Sequence, residues 1–184
     1  MALTPSNMLA LNTVAPEFLL NNPLDGTAVH LKDVQGQTGT LVMFICNHCP
    51  YVVHIIDVLA QSAKQYQQRG IGVVAINAND YVAYPADAPD KMKAFAHTHS
   101  FTFPYLLDED QSVAGQYGAV CTPEFFLFDG EAKLVYHGRF DAATPGNDHA
   151  VTGEDLNDAV LQLSQRQPIN SEQKPSLGCN IKWK

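Results

Sequence analysis

Two cysteines stand three residues apart in the stretch Cys46-Asn47-His48-Cys49, with a histidine beside the second and Pro50 directly after it. A cysteine pair with this spacing can hold a soft metal ion, exchange electrons through a disulfide, or reduce a peroxide. The residue types alone leave these three reactions open. The elements that position the pair, and the residues that would have to assist it, are therefore the next question.

The dithiol is predicted to lie between a buried strand and a helix. Thr40–Ile45 (TLVMFI) is a continuous apolar run typical of a strand buried on both faces. Apolar residues spaced by three and four then run from Val52 to Tyr66 and predict a helix that ends near Arg69-Gly70. Cys46 is thus expected at or near a helix N-terminus, which can lower a cysteine pKa from about 8.5 to roughly 3.5–7.5.

This placement assigns a role to each residue of the motif. Cys46 is expected to be the more exposed, attacking thiol, and Cys49, one turn later, the more buried, resolving thiol. A protonated His48 would favour the Cys46 thiolate and make the disulfide more oxidising. The alternative for His48 is a solvent-facing residue of the first turn with no part in the chemistry.

The remaining pattern predicts an α/β sandwich with a mixed sheet. Ile71–Asn77 is a second buried strand, which completes a βαβ unit with parallel strands. Asp129-Gly130 separates two apolar strands and predicts a hairpin. The other expected elements are short strands at Phe18–Leu20, Ala28–Leu31 and Tyr105–Leu107, helices at Asp90–Thr98 and from Asp108 to Tyr117, hairpin strands Phe125–Phe128 and Lys133–His137, and a last helix Glu154–Arg166 behind a capping box at Thr152–Asp155.

Length, charge and hydropathy indicate the number of domains, the classes of partner and the location of the protein. The 184 residues predict one domain, 1–184, with an irregular C-terminal tail from about residue 168. A net charge of −8 without a basic stripe argues against nucleic acid as a partner. No apolar run approaches the roughly 20 residues of a membrane span, so no membrane partner is expected. No secretory signal is visible, which predicts a cytoplasmic location.

A second motif, Cys121-Thr122-Pro123, lies between a helix and the hairpin strands. A strand that runs into CxxC, a crossover helix, a second strand and then Thr-Pro before a β-hairpin resembles the thioredoxin superfamily. The resemblance implies a thioredoxin-like three-layer sandwich with a central mixed sheet and an N-terminal β-hairpin extension. It also implies a cis Thr122-Pro123 peptide that faces the dithiol and contacts the substrate.

Within that superfamily, the chain most resembles the redoxin group that contains the peroxiredoxins and alkyl hydroperoxide reductases, in a bacterial peroxiredoxin-like subfamily with a CxxC motif. The resemblance covers nearly the whole chain. The residues that carry it are Ala15–Phe18, Asp25-Gly26, Leu31–Val34, Phe44–Tyr51, Ala75–Asn77, Gly118–Asp129 and the ending Pro175–Lys184.

Peroxide reduction is the less favoured alternative. Peroxiredoxins place a proline and a threonine at fixed positions before the reactive cysteine, but Gly39 and Met43 stand there relative to Cys46. The family arginine is also replaced, by Pro123, and Arg139 is a remote substitute. We therefore expect thiol–disulfide exchange without a cofactor. Its partners would be protein or small-molecule disulfides and thiols, with peroxides as the alternative, and a reducing partner such as thioredoxin or glutathione.

Two further thiols and the proton acceptor remain open. Cys121 is either a third redox thiol or, as we favour, a small buried apolar residue. Cys179 is either a resolving thiol or, again favoured, a packing residue. The acids that assist related dithiols are absent, since Thr40 and Val52 stand in their positions, which leaves a water molecule or His54 as the acceptor.

Metal binding is the main non-enzymatic alternative. Soft ligands could come from Cys46, His48, Cys49, His54 and Cys121. A structural zinc site typically uses four ligands in two close pairs, and no second CxxC or HxxxH pair is present. The sequence therefore favours a site with no metal.

Overall fold

The computed structural model describes residues 3–184, which form two sheets and five α-helices. The strands are β1 Leu3–Pro5, β2 Leu19–Asn21, β3 Ala28–His30, β4 Gly39–Phe44, β5 Ile71–Asn77, β6 Tyr105–Leu107, β7 Cys121–Thr122, β8 Glu124–Asp129, β9 Leu134–Gly138 and β10 Leu177–Asn180. The helices are α1 Leu31–Val34, α2 Pro50–Gln68, α3 Pro89–Thr98, α4 Ser112–Tyr117 and α5 Glu154–Ser164, with a short 3-10 helix at Pro85–Asp87.

The larger sheet has the strand order β3-β2-β6-β5-β4-β8-β9. Strands β4, β5 and β6 are parallel neighbours, because α2 and α3 cross back over the sheet between them. Strands β8 and β9 form an antiparallel hairpin that continues from β4. The short antiparallel pair β2 and β3 lies at the opposite edge and is the predicted N-terminal hairpin.

The continuous apolar run of β4 is explained by burial on both faces. Leu41 and Met43 pack on the side of α2, α3 and α5, and Val42 and Phe44 pack on the side of α1 and α4. All six residues of the strand are buried. The predicted three-layer sandwich with a central mixed sheet is therefore confirmed. Within residues 3–184, no helix is both long enough and apolar enough to cross a bilayer.

The last helix begins differently from the prediction. Its N-cap is Gly153 in the left-handed conformation (φ 70°), and the Thr152 Oγ1 accepts from the backbone N–H of Glu154 (3.3 Å) and not from that of Asp155, so the predicted capping box is wrong. Instead, the Asp141 carboxylate accepts hydrogen bonds from the backbone N–H groups of Thr152 (2.8 Å) and Gly153 (2.6 Å). The Asp141 carboxylate thus accepts the bond from the Thr152 N–H that the Asp155 side chain was expected to accept.

The tail contains a strand that the sequence pattern did not predict. Strand β10 pairs with β1 on one side and with β7 on the other, and so forms the smaller sheet. Gly178 permits this approach, because a Cβ atom there would lie 1.9 Å from the backbone oxygen of Thr122. The tail is thereby held against the Cys121-Thr122-Pro123 segment.

Candidate active site

The dithiol lies where β4 ends and α2 begins, as the sequence predicts. Cys49 is the N-cap of α2, and Cys46 lies three residues earlier in the loop. Their exposed fractions are 1% for Cys46 and 0% for Cys49. Cys46 therefore lies near the helix N-terminus, as expected, but it is not the more exposed thiol, because both cysteines are buried.

The Thr122-Pro123 peptide bond is cis and faces the dithiol, as the resemblance implies. The Oγ1 of Thr122 lies 3.4 Å from the Sγ of Cys46, and the Thr122 backbone oxygen lies 3.2 Å from the Sγ of Cys49. Thr122 therefore contacts both sulfur atoms, one through its side chain and one through its backbone.

A buried carboxylate, that of Asp87, stands on the other side of Cys46. Asp87 is fully buried and accepts hydrogen bonds from the Asn47 backbone N–H (2.8 Å) and from the Nδ2 of Asn79 (2.8 Å). Asn47 binds this loop a second time, by donating to the Ala86 carbonyl (2.9 Å). These bonds fix the CxxC loop against the segment that follows β5.

The sequence analysis missed Asp87, although a topological signal could have found it. Strands β4 and β5 are parallel neighbours, so the loops that follow them leave the sheet at the same edge. Cys46 follows β4 at this edge, and Asp87 belongs to the segment that follows β5. Local patterns do not reveal the contact, because about 40 residues separate the two groups.

His48 lies between Asp87 and solvent. Its Nδ1 is 2.8 Å from the Oδ2 of Asp87, although the angle is poor for a hydrogen bond. Its side chain is 23% exposed, and its ring stacks on that of Tyr84. His48 thus covers the buried Asp87 carboxylate on its solvent side.

The pKa values of the two thiols of the motif are shifted in opposite directions. The pKa of Cys49 is lowered to about 5, because the Cys46 thiol donates to its sulfur and Cys179 and the Val52 N–H add hydrogen bonds. These donors outweigh burial, which by itself would raise the pKa of Cys49. The pKa of Cys46 is raised for three reasons. Its thiol proton is hydrogen-bonded to Cys49, burial disfavours the thiolate, and the negative charge of Asp87 repels a thiolate. The predicted lowering of the Cys46 pKa is therefore wrong.

Cys121 turns away from the dithiol. Its thiol lies 3.7 Å from the Oε2 of Glu124, and its pKa is raised by burial and then by that carboxylate. Glu124 is fully buried and also accepts from the backbone N–H groups of Val120 and Cys121 and contacts the Nε2 of His137 (2.9 Å). This buried network holds the segment that carries Thr122.

Cys179 lies beside Cys49 in the same apolar cluster. Hydrogen bonding from Cys179 is one of the causes of the lowered pKa of Cys49. Burial, followed by the contact with Cys49, raises the pKa of Cys179 to about 12. The structure therefore brings three cysteines together where the sequence motif shows two.

A cavity of about 340 Å³ opens next to the dithiol. Pro123 and Tyr51 form its wall nearest the motif, and Arg139, Asp141 and His149 supply polar groups farther away. The Nε of Arg139 is already bound to Asp155 at 2.6 Å. The cavity is a natural place for the part of a substrate next to the disulfide that reacts.

The structure brings together only some of the ligands that the sequence suggested for a metal. His54 is exposed on α2, and the Cys121 thiol faces Glu124. In the described part of the chain, one group of three potential ligands lies within 4.8 Å of one another, namely Cys46, His48 and Asp87. This group is one ligand short of a typical structural zinc site.

The fold and the site define a protein of the thioredoxin-like class. The thioredoxin domain of a thiol-disulfide oxidoreductase from Bacteroides vulgatus superposes with a TM-score of 0.63 at 19% identity, covering 83% of this chain and 99% of that one. This similarity establishes the fold.

Residues 11–137 match the AhpC/TSA family, and the chain belongs to that family. It is similar to the thiol-disulfide oxidoreductase ResA of Bacillus anthracis, with 26% identity over 121 residues, which are 66% of this chain and 65% of that protein. The match thus spans less than two thirds of that curated relative. An uncharacterized conserved protein from Geobacillus kaustophilus is 46% identical, with a TM-score of 0.98 over 100% of this chain and 97% of that one.

Proposed function

We propose that the protein is a thiol–disulfide oxidoreductase in which Cys46 and Cys49 alternate between dithiol and disulfide. One observation carries the proposal, namely that Thr122 of the cis Thr122-Pro123 peptide lies within 3.4 Å of the Cys46 sulfur and 3.2 Å of the Cys49 sulfur. The relatives named thiol-disulfide oxidoreductases support the same chemistry. Peroxide reduction is less favoured, because Pro123 stands where the peroxidases have an arginine and because Arg139, in the adjoining cavity, is paired with Asp155.

The first step forms a mixed disulfide. The sulfur of Cys46 attacks one sulfur of a substrate disulfide, and the other substrate sulfur leaves as a thiolate. As Cys46 attacks, its proton passes to the Cys49 thiolate, which already accepts a hydrogen bond from it. Asp87 opposes a free Cys46 anion, so this direct transfer avoids building one up.

The second step closes the protein disulfide. Cys49 attacks the Cys46 sulfur, the Cys46–Cys49 bond forms, and the second half of the substrate leaves as a thiolate. As Cys49 attacks, it releases the proton that it received in the first step, and this proton passes to the departing thiolate. The reverse sequence oxidises a substrate dithiol.

The partners follow from the site. Protein or small-molecule disulfides enter at the cavity beside Pro123, and a dithiol reductant such as thioredoxin, or glutathione, returns the protein to the reduced state. A cytoplasmic location remains a prediction from the sequence.

A trapping experiment tests the assignment of the two cysteines. In the Cys49→Ser variant the second step is blocked, so incubation with a disulfide substrate should leave a stable mixed disulfide on Cys46. The double variant Cys49→Ser/Cys179→Ser is the matched control, because it removes the neighbouring thiol as a competing nucleophile. Mass spectrometry of tryptic peptides locates the adduct, and adducts found only on Cys121 or Cys179 would refute Cys46 as the nucleophile.

A further inference from the structure

The pairing of β10 with β7 brings a third thiol to the dithiol. In that antiparallel pair, Cys179 stands opposite Thr122, and directly paired residues share one face of a sheet. The Thr122 side chain reaches the Cys46 sulfur, so the Cys179 side chain emerges on the dithiol side as well. Cys121 is adjacent to Thr122 on β7 and therefore points to the opposite face, where its thiol meets Glu124.

Cys179 and Cys49 are neighbours at the site. Both lie in the apolar cluster on the α2 side of the sheet, and the backbone oxygen of Thr122, the residue opposite Cys179 in the strand pair, lies 3.2 Å from the Cys49 sulfur. Cys179 is also one of the groups that lower the pKa of Cys49. Cys179 is 5% exposed and Cys49 is 0% exposed, so a bond between them would be shielded from solvent. The close passage of Gly178 over the Thr122 backbone holds the strand at this distance. Cys49 therefore has two thiol neighbours, Cys46 and Cys179.

We propose that Cys179 is a third redox thiol. It replaces Cys46 as the disulfide partner of Cys49 and so produces a second, buried disulfide. This proposal rests on the proposed function of the Cys46–Cys49 pair. The Cys179 thiolate attacks the Cys49 sulfur of the Cys46–Cys49 disulfide. The Cys49–Cys179 bond forms, the Cys46–Cys49 bond breaks, and Cys46 leaves as a thiolate that takes up the proton lost by Cys179. The protein stays oxidised by two electrons throughout, so no further oxidant is needed.

The exchange gives the oxidised protein a property that a two-cysteine site lacks. Cys46 becomes a free nucleophile while the oxidising equivalent is stored at Cys49–Cys179. Such a species can open a second substrate disulfide without first being reduced, which is the step that disulfide isomerisation requires. A protein with Cys46 and Cys49 alone has no free thiol at the site after one turnover.

Disulfide mapping of the full-length protein tests the proposal. The reduced protein is oxidised with one equivalent of diamide, quenched in acid, blocked with N-ethylmaleimide and digested with trypsin. Cys46 and Cys49 fall in peptide 33–64, and Cys179 falls in peptide 167–182. We expect a cross-link between these two peptides with N-ethylmaleimide on Cys46, together with the internal Cys46–Cys49 disulfide.

Variants make the outcome decisive. In Cys46→Ser, Cys179 is the neighbouring thiol left to Cys49, so the cross-link should become the main oxidised form. It should be lost in Cys46→Ser/Cys179→Ser and retained in Cys46→Ser/Cys121→Ser. An internal disulfide in the wild type with no cross-link in Cys46→Ser would overturn the role of Cys179 and leave the proposed function intact. If neither disulfide forms in the wild type, the proposed function itself fails.

Discussion

The charge of Asp87 should control the reactivity of Cys46. The sulfur of Cys46 and a carboxylate oxygen of Asp87 lie within 4.8 Å of each other, and both side chains are buried. Two unit charges at that distance repel by about 3 kcal/mol at an effective dielectric constant of about 20. Replacing Asp87 with Asn removes this repulsion and keeps an oxygen that can accept the Asn47 N–H bond. The Cys46 thiolate should therefore form more readily.

The assay is the rate of iodoacetamide alkylation at constant pH in a Cys49→Ser background, where no neighbouring thiol of the motif shares the proton. Each 1.4 kcal/mol changes a population tenfold, so the thiolate fraction and the alkylation rate should rise by about tenfold to a hundredfold. The matched control is Asp90→Asn, because the Asp90 side chain is 72% exposed in the neighbouring segment and should leave the rate unchanged. An unchanged or slower rate in Asp87→Asn would refute the reasoning.

Three further predictions follow from the site and its supports. The Cys49 thiolate persists above about pH 5, so reduction of the disulfide takes up one proton above that pH and two below it. The midpoint potential of the pair should therefore fall by about 30 mV per pH unit above pH 5 and by about 59 mV per pH unit below it. A single slope of about 59 mV per pH unit through pH 8 would contradict the lowered pKa of Cys49. The variant Thr122→Val removes a hydrogen bond that lowers the pKa of Cys46 and should slow disulfide exchange about fivefold, whereas Thr122→Ser should not; equal stopped-flow rates for the two variants would exclude this role. The variant Gly178→Ala places a Cβ against a backbone oxygen and should lower the free energy of unfolding by about 1–3 kcal/mol in urea titrations, while Gly146→Ala, with open space around it, serves as the control; equal effects would argue against the close packing of the tail.

Much of the fold could be read from the sequence, because its central elements are specified locally. The apolar run of β4, the helical spacing after Val52 and the second run of β5 each carry their own pattern, and all three lie where the pattern predicts. The start of α5 and the strand β10 could not be read in this way. Both depend on partners distant in the chain, Asp141 for the helix and Thr122 for the strand.

In the candidate site, too, local motifs could be read from the sequence, whereas contacts between distant residues could not. The two cysteines and Thr122-Pro123 come from short motifs, and the structure places them together. The acidities of the thiols depend on Asp87 and on Cys179, which only the tertiary structure brings to the motif. A helix-terminus argument alone therefore assigned the low pKa to Cys46, whereas the hydrogen bonds lower the pKa of Cys49.

The most direct test of the central claim compares two rates for the fully reduced protein. Its loss of thiols to hydrogen peroxide is measured beside its loss of thiols to a disulfide substrate, in the wild type and in the variants Cys46→Ser and Cys49→Ser. The account predicts brisk disulfide exchange that is lost in the Cys46→Ser variant, and peroxide reactivity no greater than that of an ordinary free thiol. Fast peroxide consumption that depends on either cysteine would contradict the account and identify the protein as a peroxidase.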